Sequence, residues 1–445
     1  MRRALVVLLL LAVSPARADV ENDLGLGARA SALGGAVGAV GGDYAASAYN
    51  PAALSVPSDR PGVAELGLDF VTAVPALWVD GLAACGEGDV AAPLGDSRCV
   101  TPVANTYGIT LGGRFDIGRA FGLPGLVLGL AIYSPVEGLV ASTIRPDDTP
   151  SWLMHTDRTH HITIHAALAY RITEWLSVGL GARVIFDEEV FITGIAEGIE
   201  RVRDPITGEE RVVAGARLGV DTAIYGKASP TLGVLVSPLS TLHVGFAWRG
   251  ELTSDDWGAS RLQGIEGVGD IGFLHRFTHV FRPHELAWSA SWQPIPELGI
   301  SAELTWALWS AAASPNWAAL EGRFGDVIIP AVGVRASVHP GVELLGGYRY
   351  MHRPYDDLGG PTNLLTANTH TASLGLGLDL DRLIEDEVPF TLTLAGRLAI
   401  LEDREEMKNG RRFESDRALL ENPGYPGYRY GGLVPSVQLG VEAAW

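Results

Sequence analysis

His160, His161 and His165 look like a cluster of metal ligands. On a β-strand, however, His161 and His165 share one face while His160 points to the other, and no acidic residue or cysteine lies at ligand spacing. Residues 25–30 match the Gly-x-Gly-x-x-Ala fingerprint of dinucleotide sites, but no strand precedes them. No nucleophile elbow or acid–base pair stands out. The sequence therefore predicts no catalytic residue, no metal and no cofactor.

Four charged residues lie within otherwise apolar segments: Arg183, Arg335, Arg349 and Glu303. An arginine can hold a carboxylate head group through two parallel hydrogen bonds, and Arg349 is our candidate for that role. The alternative is that these charges pair with one another in a polar interior. Which of the two applies depends on the elements that carry them.

These segments alternate with a period of two residues, which is typical of β-strands. In 242–249 large apolar side chains occupy every second position, and segments 285–293, 300–308 and 371–381 repeat the pattern. Aromatic residues lie near the predicted strand ends on the apolar face, and these are Trp248, Trp288, Trp292, Trp306, Tyr170 and Tyr350. A soluble β-sandwich also alternates, but such aromatic girdles favour a membrane barrel. The four charged residues would then face its lumen.

Composition and the first residues narrow the class further. The chain has 445 residues, 47% of them hydrophobic, with 52 acidic and 33 basic side chains, so we exclude a nucleic-acid partner. Residues 1–18 read as a signal peptide, with arginines, a short apolar run and an Ala-x-Ala site. No later apolar stretch reaches the roughly 20 residues of a spanning helix. Since only helices and closed barrels satisfy the backbone in lipid, an exported soluble β-protein or an outer-membrane barrel remains.

We predict about fourteen strands, an even number as bacterial barrels require. Their ranges are 61–79, 103–117, 124–142, 159–172, 175–192, 217–237, 241–254, 279–293, 297–311, 327–339, 341–353, 370–381, 389–401 and 430–445. Tight connections, such as 171–175 and 339–341, alternate with long polar ones, such as 143–158, 255–278 and 354–369. This asymmetry is typical of periplasmic turns and external loops. The predicted fold is thus an all-β, transmembrane, antiparallel barrel over residues 61–445.

Residues 19–60 do not join the alternating pattern and are dense in Gly, Ala and Ser. Small residues allow close backbone packing, which suits a compact plug inside a barrel. A flexible linker is the alternative that composition leaves open.

Several short motifs follow one another in a consistent order along the chain. Asn50, Pro51 and Ala52 end the small-residue segment, and further motifs lie at 230–238, 242–249, 303–310 and 346–377. In this order they resemble the FadL-type outer-membrane transporters of long-chain fatty acids and other hydrophobic compounds. The resemblance implies a fourteen-stranded barrel closed by an N-terminal hatch (19–60), with Asn50, Pro51 and Ala52 as hatch or ligand residues. It also implies passive, gated diffusion of cargo and no enzymatic activity.

The resemblance further implies a kinked third strand that opens a lateral portal into the bilayer. The third predicted strand, 124–142, contains Pro135 near its middle. Because proline has no N–H to donate to a ladder, we expect a gap in the wall at Pro135, with a harmless bulge as the alternative.

Cys85 and Cys99 both fall in the first long external loop. In an exported chain such a pair predicts a disulfide. Closing a loop of ~15 residues would stabilise the fold by about 3 kcal/mol in the chain-entropy model. The pair is not part of the family motifs and says nothing about cargo.

The sequence thus predicts a monomer in a bacterial outer membrane. The expected partners are a hydrophobic small molecule (a fatty acid or a hydrocarbon), outer-membrane lipid including lipopolysaccharide, and the barrel assembly machinery. The last follows from 437–445, an alternating strand ending in Trp445 that resembles the assembly signal of outer-membrane proteins. Two rivals remain: a structural or adhesive barrel, and a lipid-acting enzyme that would need a Ser–His pair on the lipid face.

Overall fold

A computed structural model describes most of the chain. The described residues are 24–57, 63–80, 103–136, 151–153, 155, 161–203, 210–265, 269–312, 323–356, 363–384, 390–408 and 427–445. The predicted signal peptide (1–18), the predicted disulfide between Cys85 and Cys99, and His160 lie outside these ranges.

Strands make up most of the described chain. They are β1 (Ala64–Ala73), β2 (Ala76–Asp80), β3 (Thr106–Asp116), β4 (Leu126–Pro135), β5 (Ser151–Trp152), β6 (Thr163–Arg171), β7 (Leu176–Arg203), β8 (Glu210–Leu239), β9 (Leu242–Arg249), β10 (Leu252–Ile265), β11 (Gly269–Arg282), β12 (Glu285–Ile295), β13 (Leu298–Ala307), β14 (Val327–His339), β15 (Val342–Met351), β16 (Leu364–Leu365), β17 (Thr369–Asp379), β18 (Phe390–Met407) and β19 (Gly427–Ala444).

The helices are short. They are α1 (Ala28–Ala32), α2 (Ala46–Tyr49), α3 (Gly118–Phe121), α4 (Leu380–Ile384) and the 3-10 turns Pro51–Ser55 and Trp309–Ala311. Within the described ranges, none of them has the length and apolar character that crossing a bilayer would require.

The wall is a closed antiparallel barrel of fourteen strands, as predicted. Neighbours along the chain pair with each other, and β1 closes the cylinder by pairing with β19 from Glu65↔Ala444 to Ala73↔Ser436. The pairs β1/β2, β9/β10 and β11/β12 each form one wall strand with a short break. Two of these breaks fall at Pro75 and Pro283, where the missing N–H interrupts the ladder.

The two faces of the wall differ as the alternation predicts. On β1, Glu65 and Asp69 are buried towards the lumen, whereas Leu66 and Phe70 are 44% and 47% exposed on the outside. The same division recurs on β13, where Glu303 is buried and Leu304 is exposed. An outer band of exposed apolar side chains is the surface that a lipid-facing barrel needs.

One sequence prediction about strand bounds is wrong. Residues 255–278, expected to be a long polar loop, belong to β10 and β11 apart from 266–268, and β10 also pairs in parallel with β7. These parts of β10 and β11 are held together by backbone hydrogen bonds. A strand outside the lipid does not need an apolar face, so the sequence shows no period of two there. The third strand, expected over 124–142, is described as Leu126–Pro135, and residues 137–142 of the predicted range lie outside the described residues.

Residues 24–57, here called the N-terminal segment, lie inside the barrel. The segment bonds to strands on different sides of the wall. Ala28 N donates to Asp69 of β1, Gly38 N donates to Glu303 of β13, and Gln438 of β19 donates to the carbonyl of Leu24. Almost all of its residues are buried.

Candidate functional site

Glycines on the inner face of the wall make room for the N-terminal segment. A carbon added at Gly179 of β7 would lie 2.3 Å from the nitrogen of Ala52, and one added at Gly233 of β8 would lie 2.1 Å from Asn50 Oδ1. A carbon at Gly179 would also meet Pro51. The wall thus admits Asn50, Pro51 and Ala52, the three predicted hatch or ligand residues, because it carries no side chains at these points.

Asn50 is the most densely bonded residue of this stretch and is fully buried. Its Nδ2 donates to the carbonyl of Gly38 at 2.7 Å and to the carbonyl of Val234 in the wall at 3.4 Å. Its Oδ1 accepts from Ala52 N at 3.1 Å and so caps the turn Pro51–Ser55. One amide therefore fixes the local fold of the segment and its position against β8.

A second anchor lies on β1 and β3. Asp69 accepts from Ala28 N at 2.9 Å and from the hydroxyl of Tyr44. The ring of Tyr44 lies over Gly67 and Gly112, which face each other across the ladder, and an added carbon would come within 2.2 Å and 2.0 Å of the ring. An aromatic side chain of the segment is thus held by its hydroxyl at one end and by two glycines along its ring.

Two arginines of the wall bind the end of the turn Pro51–Ser55. Arg114 donates from Nε to the carbonyl of Leu54 at 2.9 Å and from Nη2 to the carbonyl of Val56 at 3.1 Å. Arg171 donates to the carbonyl of Ser55. Carbonyls at the end of a helical turn lack intrahelical partners and attract cations, so these arginines satisfy them.

A buried charge cluster lies against the other side of the segment. Arg249 Nε donates to Glu285 Oε2 at 2.7 Å, and its Nη1 donates to the carbonyl of Tyr49 at 3.0 Å. Glu303 Oε2 accepts from Gly38 N at 2.9 Å. Buried charges need hydrogen-bonding or oppositely charged partners, because desolvating an ion without them costs several kcal/mol.

Three of the four predicted lumen residues come together in this cluster. Arg183, Arg349 and Glu303 line a cavity of about 20 Å³, together with Arg249 and Glu285. A cavity of this volume has room for roughly one water molecule. Several guanidinium groups thus surround one small polar space, which is also lined by Gly34, Gly35 and Tyr49 of the segment.

Arg335 lies elsewhere. Register places Glu303, Ala331 and Arg349 in one row across β13, β14 and β15, and Arg335 is four residues further along β14. At ~3.3 Å per residue this separates it by about 13 Å from the row. Arg335 Nη1 contacts Glu343 Oε1 at 3.3 Å instead.

Arg335 belongs to a larger cavity, of about 780 Å³, at the turn end of the barrel. Its lining includes the tight turns at 240–241, 296–297 and 340–341 and the side chains of Asp43, Glu65 and Arg382. This chamber carries charges of both signs and is a poor environment for an apolar molecule.

Pro135 is the last residue of β4 in the described part of the chain. Val136 N donates to Tyr107 O at 2.7 Å, towards β3, so the backbone nitrogen of Pro135 points the opposite way, towards β6. The β4–β6 ladder stops at Tyr133↔Thr163, two residues earlier. Proline thus stands where the next N–H towards β6 would be.

The sequence predicts no metal site at His161 and His165. Both side chains are buried, each with 1% exposure. Among the described residues no group of three potential ligands comes together.

Comparisons with known proteins bear on the whole arrangement. No protein-family model and no curated protein sequence matches the chain. A solved FadL homologue of Pseudomonas aeruginosa matches with a TM-score of 0.58 and 14% identity over 94% of this chain and 98% of its own. The chain has the FadL-type fold. The toluene transporter TodX of P. putida matches with a TM-score of 0.55 and 14% identity (95% and 99% covered), and the toluene transporter TbuX of Ralstonia pickettii with 0.52 and 13% (95% and 99%).

Within this FadL-type barrel, the residues that sequence reasoning missed are those that hold the N-terminal segment. Asp69, Arg114 and Arg249 stand at lumen positions of their strands, and alternation alone assigns them to that face. The role of Tyr44 cannot be predicted from alternation, because its ring packs on Gly67 and Gly112, which are about 20 and 70 positions away in the sequence.

Proposed function

We propose that this protein is an outer-membrane channel for passive, gated diffusion of hydrophobic compounds, with the N-terminal segment as its hatch. The observation that carries the proposal is the fit of that segment to wall glycines and lumen charges inside a closed fourteen-stranded barrel. The FadL-type fold and the apolar outer band support the same assignment. Lipopolysaccharide, the barrel assembly machinery and a monomeric state stay predictions of the sequence.

The cargo class divides into two candidates, long-chain fatty acids and neutral hydrocarbons. Arg349, Arg183 and Arg249 line one small polar space together with Glu285 and Glu303. A guanidinium binds a carboxylate through two parallel hydrogen bonds, so these arginines favour a carboxylate head group provided that the space widens beyond its present volume of about 20 Å³. For a fatty acid, we propose that Arg349 receives the carboxylate. A hydrocarbon cargo would leave this role unused, and the cluster would then be a paired polar interior.

For the exit route we propose the gap beside Pro135. The larger cavity beyond the segment is lined by apolar side chains and by charged ones such as Glu65, Arg335 and Arg382, and an apolar molecule passing through it would have to desolvate these charged groups. A lateral opening between β4 and β6 leads directly to lipid. Such a route would let cargo leave without crossing the polar chamber.

Uptake by intact cells that express or lack the protein tests the function, because a plain phospholipid bilayer is no barrier to apolar solutes. We expect entry of oleate and of toluene to be faster in cells that express the protein, and equal rates in both strains would refute a transport role. The exit route is tested with Pro135→Val, which restores the N–H donor towards β6. We expect it to lower uptake severalfold, and Pro330→Val, at an outward-facing proline of β14, is the matched control. Unchanged uptake in Pro135→Val would remove this residue from the mechanism.

The rival of a lipid-acting enzyme requires a Ser–His pair on the lipid face. Ser237 Oγ lies 2.7 Å from His243 Nδ1, but both residues line the large inner cavity or its turn rather than the outer band. Release of fatty acid from phospholipid by the purified protein would favour the enzyme. Normal membrane integrity with no uptake of either cargo would favour a structural or adhesive barrel.

A further inference from the structure

Two external connections of the barrel meet in a small parallel ribbon, here called the inner ribbon, formed by β5 and β16. Ser151 pairs with Leu364 and Trp152 with Leu365. The ladder is held by Ser151 N donating to the carbonyl of Asn363 at 3.0 Å and by Leu153 N donating to the carbonyl of Leu365 at 2.9 Å. With two paired positions, the ribbon is far shorter than any ladder of the wall.

The inner ribbon inserts an indole ring among wall tyrosines. Trp152 is 2% exposed and packs edge-on against Tyr430, with ring centroids 5.6 Å apart and an interplanar angle of 83°. Tyr430 in turn lies 5.8 Å from Tyr428, and Leu365 of the partner strand is fully buried. Trp152 therefore fills an aromatic slot, here called the Trp152 slot, whose walls come from β19 and β16.

The β16 side of the ribbon is fastened to the wall by tyrosine hydroxyls. Tyr428 donates to Asn363 Oδ1 at 3.0 Å, and Tyr430 donates to the carbonyl of Thr366 at 3.0 Å. Tyr355 donates to the carbonyl of Leu364. These bonds fix β16, whereas β5 contributes ladder donors and the indole. The two halves of the ribbon are thus held by different means. Among the described residues, separating them breaks two ladder bonds and exposes the Trp152 ring and the side chain of Leu153, which packs with Leu364.

The Trp152 slot also belongs to the apolar interior that leads to the N-terminal segment. Trp152, Leu365 and Tyr430 form one contiguous cluster of buried apolar side chains with Leu24 and Leu33 of the segment. A ligand that took the place of the indole would therefore contact the same packed apolar cluster that reaches the N-terminal segment.

We propose that the Trp152 slot is a cargo-binding site for a planar aromatic ring, and that the indole of Trp152 occupies it until cargo replaces it. The inference rests on the proposed channel function and deepens it by naming the cargo class that this slot selects. Edge-to-face contact with Tyr430 stabilises an aromatic ring by more than the burial of its apolar area. A saturated ring of the same size lacks this additional stabilisation. Toluene and methylcyclohexane have the same carbon skeleton but differ in planarity and aromaticity, and they are therefore the discriminating pair.

A reversible lock on the ribbon tests the proposal. Ser151→Cys with Leu364→Cys places two thiols on paired positions, where neighbouring strands bring Cα atoms within disulfide range. Cys85→Ser and Cys99→Ser in the same chain prevent exchange with the native cysteines. The matched control lock is Thr371→Cys with Ala399→Cys, two paired lumen-facing positions of the wall.

We expect the oxidised ribbon lock to lower toluene binding in nanodiscs at least tenfold and reduction to restore it, while the wall lock has no effect. Saturating toluene should also slow closure of the ribbon disulfide, and methylcyclohexane should not. Tyr430→Leu, which keeps the slot apolar but removes its ring, should abolish the preference for toluene.

Toluene binding that survives the oxidised ribbon lock, or equal protection by methylcyclohexane, would overturn the proposal while leaving the channel function intact. If the parent protein takes up neither compound nor a fatty acid, the channel function itself is refuted. Heat-modifiable electrophoretic mobility shows for each variant that the barrel has folded.

Discussion

Replacing Gly233 by valine should detach residues 50–52 from the wall. An added carbon there lies 2.1 Å from Asn50 Oδ1, and ordinary contact begins at 3.4 Å, so the groups must separate by about 3.4 − 2.1 = 1.3 Å. The backbone nitrogen of Ala52, at 2.8 Å, blocks the same space, so a rotation of the Asn50 side chain cannot relieve the overlap. The segment itself has to move.

The expected size of the effect follows from what that movement breaks. Of the three hydrogen bonds of Asn50, only the one to the carbonyl of Val234 joins the segment to the wall, and it has a net value of ~1 kcal/mol. Overpacking adds about 1–3 kcal/mol. A loss of roughly 2–4 kcal/mol raises the population with residues 50–52 detached by about thirtyfold to several hundredfold, since every 1.4 kcal/mol is a factor of ten.

Conductance across planar bilayers measures the population in which residues 50–52 are detached, because ions can pass through the barrel when the N-terminal segment no longer fills it. Gly396→Val is the matched control: Gly396 lies on the outer face of β18, and an added carbon there has no atom within 4 Å. We expect frequent openings for Gly233→Val and wild-type silence for Gly396→Val. If both variants conduct like the wild type, the segment does not close the bore through this contact.

Two further outcomes follow from the same geometry. Asp69→Ala removes the acceptor of two hydrogen bonds from the segment, each with a net value of ~1 kcal/mol, so proteolytic cleavage of the segment should accelerate at least tenfold. Phe70→Ala, one residue further on the outer face, should leave cleavage unchanged, and equal rates for the two variants would contradict an anchoring role. Arg349→Gln should weaken oleate binding about tenfold or more without affecting toluene, as read by calorimetry. Arg335→Gln, in the other cavity, is its control, and a loss shared by both variants would point to a general field effect.

The sequence carried enough information to predict the wall, because lipid on one side and polar groups on the other impose a period of two. It was also sufficient to place Arg183, Arg349 and Glu303 on the inner face. Alternation specifies a face but not a height along the barrel, which depends on register. Arg335 therefore looked equivalent to Arg349 although pairing separates the two by four positions of β14.

The inner ribbon had no sequence signal at all. Its strands are two residues long, lie more than 200 positions apart and fall within connections that composition marks as polar loops. The sequence predicted only part of the packing between the N-terminal segment and the wall. Its small residues predicted close packing, but the complementary glycines, such as Gly179 and Gly233, are scattered over distant strands and acquire meaning only once the barrel closes.

The anchoring restricts how the N-terminal segment could act as the proposed hatch. Among the described residues at least ten hydrogen bonds join the N-terminal segment to the wall. Complete release would break all of these bonds together and expose the buried apolar side chains of the segment. If the segment is the hatch, we therefore expect passage to use a local shift of a few contacts rather than release of the whole segment. The places we propose for that shift are the small cavity beside Arg349 and the end of the β4–β6 ladder near Pro135.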